Sequence, residues 1–237
     1  MDLFIIYYGM DPNRKAWNDR HKQLHHALEK TGDKKKVTEF FYAQHAAVHS
    51  SKLARQNIYS FSDEILSGLS PDSWRYIPDS GNHSIAWIIW HLARIEDVTM
   101  NILVAGDNQI LKTGNWSDKL QIKDIHTGNG MTDQEVAKLS DKIDINALAN
   151  YRLAVGKKTQ KIVASISPSE YKKRVDPTRI ARIWEERAML PNAEVIVNYW
   201  AGRTIAGLFL MPPTRHCFLH LNEARLIKAK AVKNLKD

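Results

Sequence analysis

The sequence lacks several features that whole classes of protein require. Cys217 is the single cysteine among 237 residues, which excludes an internal disulfide and fits a reducing compartment, so we expect a cytoplasmic protein. No apolar run approaches the roughly 20 residues of a membrane-spanning helix, and we expect no membrane partner. Neither standard glycine-rich phosphate loop is present, which argues against a nucleotide enzyme.

The first residues also lack the pattern of an export signal. The apolar segment LFIIYY at residues 3–8 has no basic residues before it and is shorter than a secretory signal requires. Met10 offers an alternative start. We therefore assign no function to this segment.

The excess of positive charge is not accompanied by a nucleic-acid recognition motif. The formal net charge is +8, but the lysines and arginines are scattered, apart from short runs such as residues 34–36 and the terminal KAKAVKNLK. No zinc-finger or RRM signature accompanies them. A mild basic excess is typical of a solvated surface, so we expect a small-molecule partner and no nucleic acid.

Helical periodicity runs through most of the chain, while β-alternation, internal repeats and low-complexity tracts are missing. Capping boxes at Thr132–Glu135 and Ser167–Glu170 mark further helix starts. The predicted helices are 13–30, 36–68, a short one from Pro71, 83–105, 144–166, one from Pro177 to about 188, 192–211 and 215–230. We expect Gly106 to end the helix 83–105, Pro212 and Pro213 to break the chain, and Thr214 to cap the last helix.

Four of these helical stretches are long enough to form a bundle: 40–68, 83–105, 144–166, and 192–211 continuing into 215–230. The prediction is therefore an all-α protein built on a four-helix bundle, with additional N-terminal and connecting helices. We divide the chain into an N-terminal extension (1–36), a bundle domain (37–230) and a basic C-terminal tail (231–237).

One histidine lies in the most apolar of these helices. From Ile85 to Leu92 every residue except His91 is apolar, and helical geometry places His91 in the apolar row of Trp87 and Ile95. Burying an imidazole costs free energy unless its nitrogens find partners. An ordinary hydrogen-bonded core histidine is one interpretation, and a metal ligand is the other.

Three pairs of histidines have the i, i+4 spacing that lets two imidazoles reach one metal ion. The pairs are His21/His25, His45/His49 and His216/His220. The first lies in a strongly polar segment, so we expect it to be solvated. The second follows an apolar stripe and is a fair second candidate, and the third fits an inward-facing site best.

His91 with His216 and His220 would give three neutral imidazoles from two helices. Three protein ligands leave a position open for water or substrate, which is the arrangement of a catalytic metal site. Glu223 shares the face of His220 and is a candidate second-sphere or fourth ligand, or a catalytic base. Cys217 is rotated by about 100° from His216, so we expect it to point elsewhere. The segment HCFLH also lacks the glutamate of a zincin motif.

The segment SIAWIIWHLARIEDVTMN, followed in a terminal helix by H-x-x-x-H, resembles the DinB/YfiT-like superfamily of metalloenzymes over roughly residues 40 to 225. The resemblance implies a four-helix bundle, often dimeric, with a divalent metal held by three histidines. Carried over, those ligands are His91, His216 and His220. Residues 1–36 and the QHAAVHS element lie beyond the family pattern.

Characterised members of that superfamily include bacillithiol-dependent S-transferases and a mycothiol-dependent maleylpyruvate isomerase, and others are described as metal-dependent hydrolases. We therefore expect a Zn²⁺ or Ni²⁺ protein that uses a low-molecular-weight thiol, and possible dimers follow from the same resemblance. The alternatives are a non-catalytic metal-binding or stress-associated module, and a metal-dependent hydrolase.

The resemblance also implies which residues border the metal. They are Trp87, Trp90, Trp200, Arg203 and Arg215; the alternative is that the tryptophans only fill the core and that Arg203 and Arg215 cap helix ends or face water. The thiol cofactors carry carboxylates that arginine recognises, and we select Arg215 because it adjoins His216 at an expected helix start.

Overall fold

A computed structural model describes residues 12–54, 57–79 and 81–235, and within them the fold is all-α. Outside the helices, backbone pairing in these ranges includes one isolated antiparallel bridge between Arg174 and Thr204. The α-helices are, in chain order, α1 (Pro12–His26), α2 (Lys34–Val48), α3 (Phe61–Leu66), α4 (Pro71–Arg75), α5 (Ile85–Asp97), α6 (Ile110–Thr113), α7 (Trp116–Leu120), α8 (Asp133–Lys142), α9 (Ile145–Ser165), α10 (Pro177–Glu185), α11 (Glu194–Ala201), α12 (Ile205–Leu210) and α13 (Cys217–Asn234).

Short 3₁₀ and π-helical segments extend or join several of these helices. Single 3₁₀ turns are formed by Ser51–Leu53, Pro168–Glu170 and Pro191–Ala193. Three π-helical segments are Ala27–Thr31, which extends α1, Val98–Ala105, which extends α5, and Met211–His216, which joins α12 to α13.

Four helical rods form the centre of the molecule: α2, α5 with its π-helical extension, α9, and the rod from α12 through α13. Helix α2 contacts α9, α9 contacts α5, α5 contacts α13, and α13 contacts α2. The rods therefore close into a four-membered ring. Helix α5 is the central element, because every residue from Ile85 to Asp97 is buried.

The predicted helix 36–68 is wrong in its second half. Helix α2 ends at Val48, and Ser50 is extended with φ −166°, where its hydroxyl accepts a hydrogen bond from the Lys52 amide. The Ser51 amide donates to the Asp63 carboxylate at 2.8 Å. Serine side chains that bond nearby backbone groups compete with helix formation, and they end the helix here.

The predicted helix 192–211 and its break at the prolines are also wrong. Residues 202–204 interrupt the helix, and the Thr204 hydroxyl caps α12 by accepting from the Gly207 amide. Pro212 and Pro213 lie inside the rod, in the π-helical segment that joins α12 to α13. Thr214 is no cap, because its hydroxyl donates backwards to the Leu210 carbonyl at 2.7 Å.

Other sequence predictions are confirmed. Gly106 ends the rod of α5 with φ +72°, and both predicted capping boxes are formed. The last helix, predicted over 215–230, extends to Asn234. Among the residues that the structure describes, no helix combines the length and the apolar character needed to cross a bilayer.

Candidate metal centre

The structure brings His91, His216 and His220 together in the bundle. His91 lies in the middle of α5, His216 ends the π-helical segment, and His220 lies in the first turn of α13. One ligand nitrogen from each lies within 4.8 Å of the others. The unbroken helix through residue 216 supplies the i, i+4 spacing that places the last two imidazoles on one face.

A backbone carbonyl orients His91. Its Nδ1 lies 2.6 Å from the Thr127 carbonyl oxygen, and because a carbonyl only accepts, Nδ1 carries the proton and Nε2 keeps its lone pair. Burial, with a smaller effect from His220, lowers the pKa of His91 to about 3. The imidazole is therefore neutral near pH 7, which is the form that binds metal.

A carboxylate orients His220 in a similar way. Glu223 Oε2 lies 2.9 Å from His220 Nδ1, and Glu223 Oε1 lies 2.7 Å from His83 Nδ1. Burial alone would raise the pKa of Glu223, but the hydrogen bonds from His220 and His83 outweigh it and hold the pKa at about 2. Such carboxylate–imidazole pairs fix the ring and raise its basicity as a ligand.

The third imidazole shows that these residues fit a metal ion. His216 Nδ1 is buried, and it has no hydrogen-bond partner among the described residues. Burial, followed by His91 and His220, lowers the pKa of His216 well below its usual value. Three imidazoles, two of them held through their second nitrogens, are the donor set of a divalent metal with one open position.

A cavity of about 260 Å³ opens at the three histidines. Trp87 forms one wall, and its indole is stacked between His83, at 3.9 Å and 2°, and His91, at 4.7 Å and 7°. Asn129, Met131 and Asp133 line it from the loop before α8 and the start of that helix. The site therefore combines one aromatic wall with a largely polar lining.

The loop that carries Thr127 is packed tightly over the tryptophans. Gly128 has φ +89°, and a Cβ on it would lie 2.6 Å from Cζ3 of Trp90. Arg94, fully buried, donates to the carbonyls of Ile125 at 2.6 Å and His126 at 3.4 Å. The position of the carbonyl that orients His91 thus depends on the glycine and on Arg94.

The structure gives Arg215 a different environment from the one expected. It lies inside a continuous helical rod, so the argument from a helix start is wrong. Its guanidinium lies 5.4 Å above the Trp17 ring and donates to Asn18 at 3.0 Å. Arg215 and Arg203 line a separate groove on the surface, and the predicted contact between Arg215 and a metal-bound cofactor has no support in this geometry.

The tryptophans expected at the metal are also separated by the fold. Trp87 borders the cavity, whereas Trp90 is buried beneath the Gly128 loop and Trp200 belongs to the other hydrophobic cluster of the core. Cys217 points away from the triad, as expected, and its thiol lies 3.5 Å from the Pro212 carbonyl.

The remaining histidine pairs lie apart from this site. His25 is exposed as expected, but His21 is half-buried, stacked on Trp17 at 5.1 Å. His45 and His49 are buried together with Glu96 in a second cluster.

Sequence reasoning missed His83 and Thr127 as parts of the site. The first had a signal, because residues 83, 87 and 91 recur at the four-residue spacing of one helical face. Thr127 contributes only its backbone carbonyl, which no side-chain pattern reveals.

Comparison with known families agrees with the all-α architecture. A search of curated proteins found no match. The profile of the DinB superfamily matches residues 59–199, a stretch that contains His91 and covers more than half of the chain. The chain belongs to the DinB superfamily.

Proposed function

We propose that the chain is a metal-dependent enzyme of the S-transferase or isomerase type that acts on a small molecule through a low-molecular-weight thiol. The supporting observation is the convergence of His91, His216 and His220, three imidazoles within 4.8 Å of one another, on an open cavity. Zn²⁺ or Ni²⁺ is the proposed ion, since imidazole nitrogen suits both.

When bound, the ion lowers the pKa of a thiol that takes its open position, as it does for water, and so favours the nucleophilic thiolate. The protein's own part is orientation. The Thr127 carbonyl and the Glu223 carboxylate fix two of the imidazoles, and the anionic Glu223 offsets part of the positive charge of the site. Trp87 supplies an apolar wall that holds the carbon skeleton of a substrate and limits access of water.

A hydrolase with Glu223 as its general base is less well supported. A general base works best with a pKa near the operating pH, whereas the pKa of Glu223 is held at about 2. Both of its oxygens already accept hydrogen bonds from His83 and His220. The geometry favours Glu223 as a carboxylate that orients His220 over Glu223 as a general base.

The first experiment is elemental analysis of protein purified without a metal-affinity tag. We expect the double variant His91→Ala/His216→Ala to lose the triad's ion. The matched control, His25→Gln/His26→Gln, removes two exposed imidazoles of α1 and should keep the wild-type content. Equal metal content in the wild type and the triad variant would refute the site.

The second experiment tests the thiol. Metal-loaded protein is titrated with a panel of low-molecular-weight thiols by thermal shift and calorimetry, and the triad variant serves as control. We expect one thiol to stabilise the wild type and to leave the triad variant unchanged. No response to any thiol, with metal bound, would favour the non-catalytic module instead.

A further inference from the structure

A second cluster of metal-ligand side chains lies inside the bundle, between α2 and α5. His45 lies in the last turn of α2, His49 directly follows that helix, and Glu96 faces them from α5. His91 and Glu96 are five residues apart on α5, a rotation of about 140°, so the two clusters occupy different faces of that helix.

All three side chains of this cluster are buried, with exposed fractions of 0% for His45, 1% for His49 and 1% for Glu96. His45 Nε2 lies 3.0 Å from Glu96 Oε1, and His49 Nε2 lies 3.8 Å from Glu96 Oε2. One ligand atom from each residue lies within 4.8 Å of the others.

Hydrogen bonds within the protein leave this cluster unsatisfied. Neither nitrogen of His49 makes a hydrogen bond of normal geometry in the described part of the chain, and neither does Nδ1 of His45; the backbone group that affects the pKa of the His49 ring belongs to Arg152. An unsatisfied buried polar group destabilises the folded state. The Glu96 carboxylate can accept about four hydrogen bonds. Of its two histidine neighbours, only His45 lies within hydrogen-bonding distance.

The packing keeps His49 in place and neutral. A Cβ on Gly156 of α9 would lie 2.7 Å from His49 Nε2, so the imidazole occupies space that a side chain on α9 would otherwise fill. Burial, then the positive charge of Arg152, and then His45 lower the pKa of His49 well below its usual value. A neutral imidazole is the form that a metal needs.

We propose that His45, His49 and Glu96 form a second, structural site for a divalent transition metal in the core of the bundle. Two imidazoles and a carboxylate are a ligand set of both zinc and iron(II) proteins. A tetrahedral ion with bonds of about 2.1 Å holds its ligand atoms about 3.4 Å apart. His45 Nε2 lies 3.0 Å from one oxygen of Glu96 and His49 Nε2 lies 3.8 Å from the other, so both imidazoles lie near that spacing from the carboxylate.

The ion would give the lone pair on His49 a partner. It would also be a cation near Arg152, and the negative charge of Glu96 offsets the repulsion between the two. Because the cluster is buried, the ion enters as the chain folds and links α2 to α5.

Zinc counting separates this site from the triad. Full-length protein is refolded with excess Zn²⁺, exchanged into metal-free buffer, and analysed for zinc per chain. We expect about two ions in the wild type, about one in His216→Gln/His220→Gln, and none when Glu96→Gln is added, since each site needs its three ligands. The Glu96→Gln variant alone should keep the triad's ion. A failure to bind zinc at either site is therefore detected independently of the other site.

Two results would overturn the proposal: no zinc in the His216→Gln/His220→Gln variant, or retention of its ion after Glu96→Gln is added. Release kinetics in the wild type provide a test that requires no core substitution. With a chelator in excess, the ion at the open cavity should leave first, and the buried ion should leave at the rate of global unfolding measured in parallel. Release of all zinc in one fast phase would contradict a buried site.

Discussion

Glu223 Oε2 lies 2.9 Å from Nδ1 of His220, and its other oxygen accepts from His83, so one carboxylate connects a proposed metal ligand to a second histidine on the cavity wall. The ligand is thereby held in one tautomer and orientation. The strength of metal binding should depend on this carboxylate even though it is not itself part of the triad.

The substitution Glu223→Gln keeps the size of the side chain and removes its charge. We expect the affinity for Zn²⁺ to fall about 10- to 100-fold, as for other partners of ligating histidines. Competition with a chromophoric chelator measures it. Glu29→Gln is the matched control, because Glu29 pairs with the exposed His25 at 3.3 Å. An unchanged affinity for Glu223→Gln would show that the carboxylate does not tune the site.

Gly128 should be a position where one added methyl group disturbs both stability and metal binding. A Cβ there would meet Trp90 at 2.6 Å in a backbone conformation of φ +89° that side chains disfavour. We expect Gly128→Ala to cost about 1–3 kcal/mol and to weaken metal binding by displacing the neighbouring Thr127 carbonyl. Thermal unfolding with and without Zn²⁺ measures both effects.

Gly68→Ala is the control that introduces backbone strain without the steric clash that Gly128→Ala makes with Trp90. Gly68 has a similar φ of +71°, but nothing lies within 4 Å of a Cβ built there. We expect a smaller loss of stability and no change in zinc affinity. Equal effects of the two substitutions would mean that the packing of the loop against Trp90 is unimportant.

The sequence predicted the parts of the site that depend on local periodicity. His91 in an apolar stripe and the i, i+4 pair His216/His220 are visible because a helix repeats its faces every 3.6 residues. The π-helical turn that carries Pro212 and Pro213 through the rod gives no such signal. Neither do contacts between distant segments: Thr127 is 36 residues from His91, and Glu96 is 51 residues from His45.

The metal-free protein should lose stability as the pH falls below 6.5. The pKa of His91 is about 3 in the folded state against 6.5 for a solvated histidine, so between these values the unfolded chain binds more protons. The free energy of unfolding therefore decreases as the pH is lowered through this window, by up to about 1.4 kcal/mol per pH unit for one such group. Above pH 6.5 both states are neutral and this dependence disappears.

Urea unfolding of metal-free protein between pH 7.5 and about 4.5 tests that dependence. We expect His91→Gln to have a shallower slope than the wild type below pH 6.5, while His25→Gln, at an exposed position, keeps the wild-type slope. Identical slopes for the wild type and His91→Gln would mean that His91 titrates normally in the folded protein.

Arg94 should be the most costly residue of α5 to replace, because it connects the bundle to the loop over the metal. Its guanidinium is fully buried and donates to Asp97 at 3.0 Å, to the Tyr151 hydroxyl at 2.9 Å and to the Ile125 carbonyl at 2.6 Å. Removing one member of a buried ion pair costs about 3–5 kcal/mol, since the other charge remains buried.

We expect Arg94→Met to destabilise the protein by that amount in urea unfolding and to weaken zinc binding, because the carbonyls before Thr127 lose their donor. Tyr151→Phe removes a single hydroxyl from the same network and should cost about 1–2 kcal/mol. Lys15→Met is the surface control, since the ion pair of Lys15 with Asp19 is exposed and pairs of this kind contribute little. If Arg94→Met is no more destabilising than Tyr151→Phe, the buried ion pair does not hold the loop. If it is destabilising but binds zinc with wild-type affinity, the loop keeps its position over His91 without Arg94.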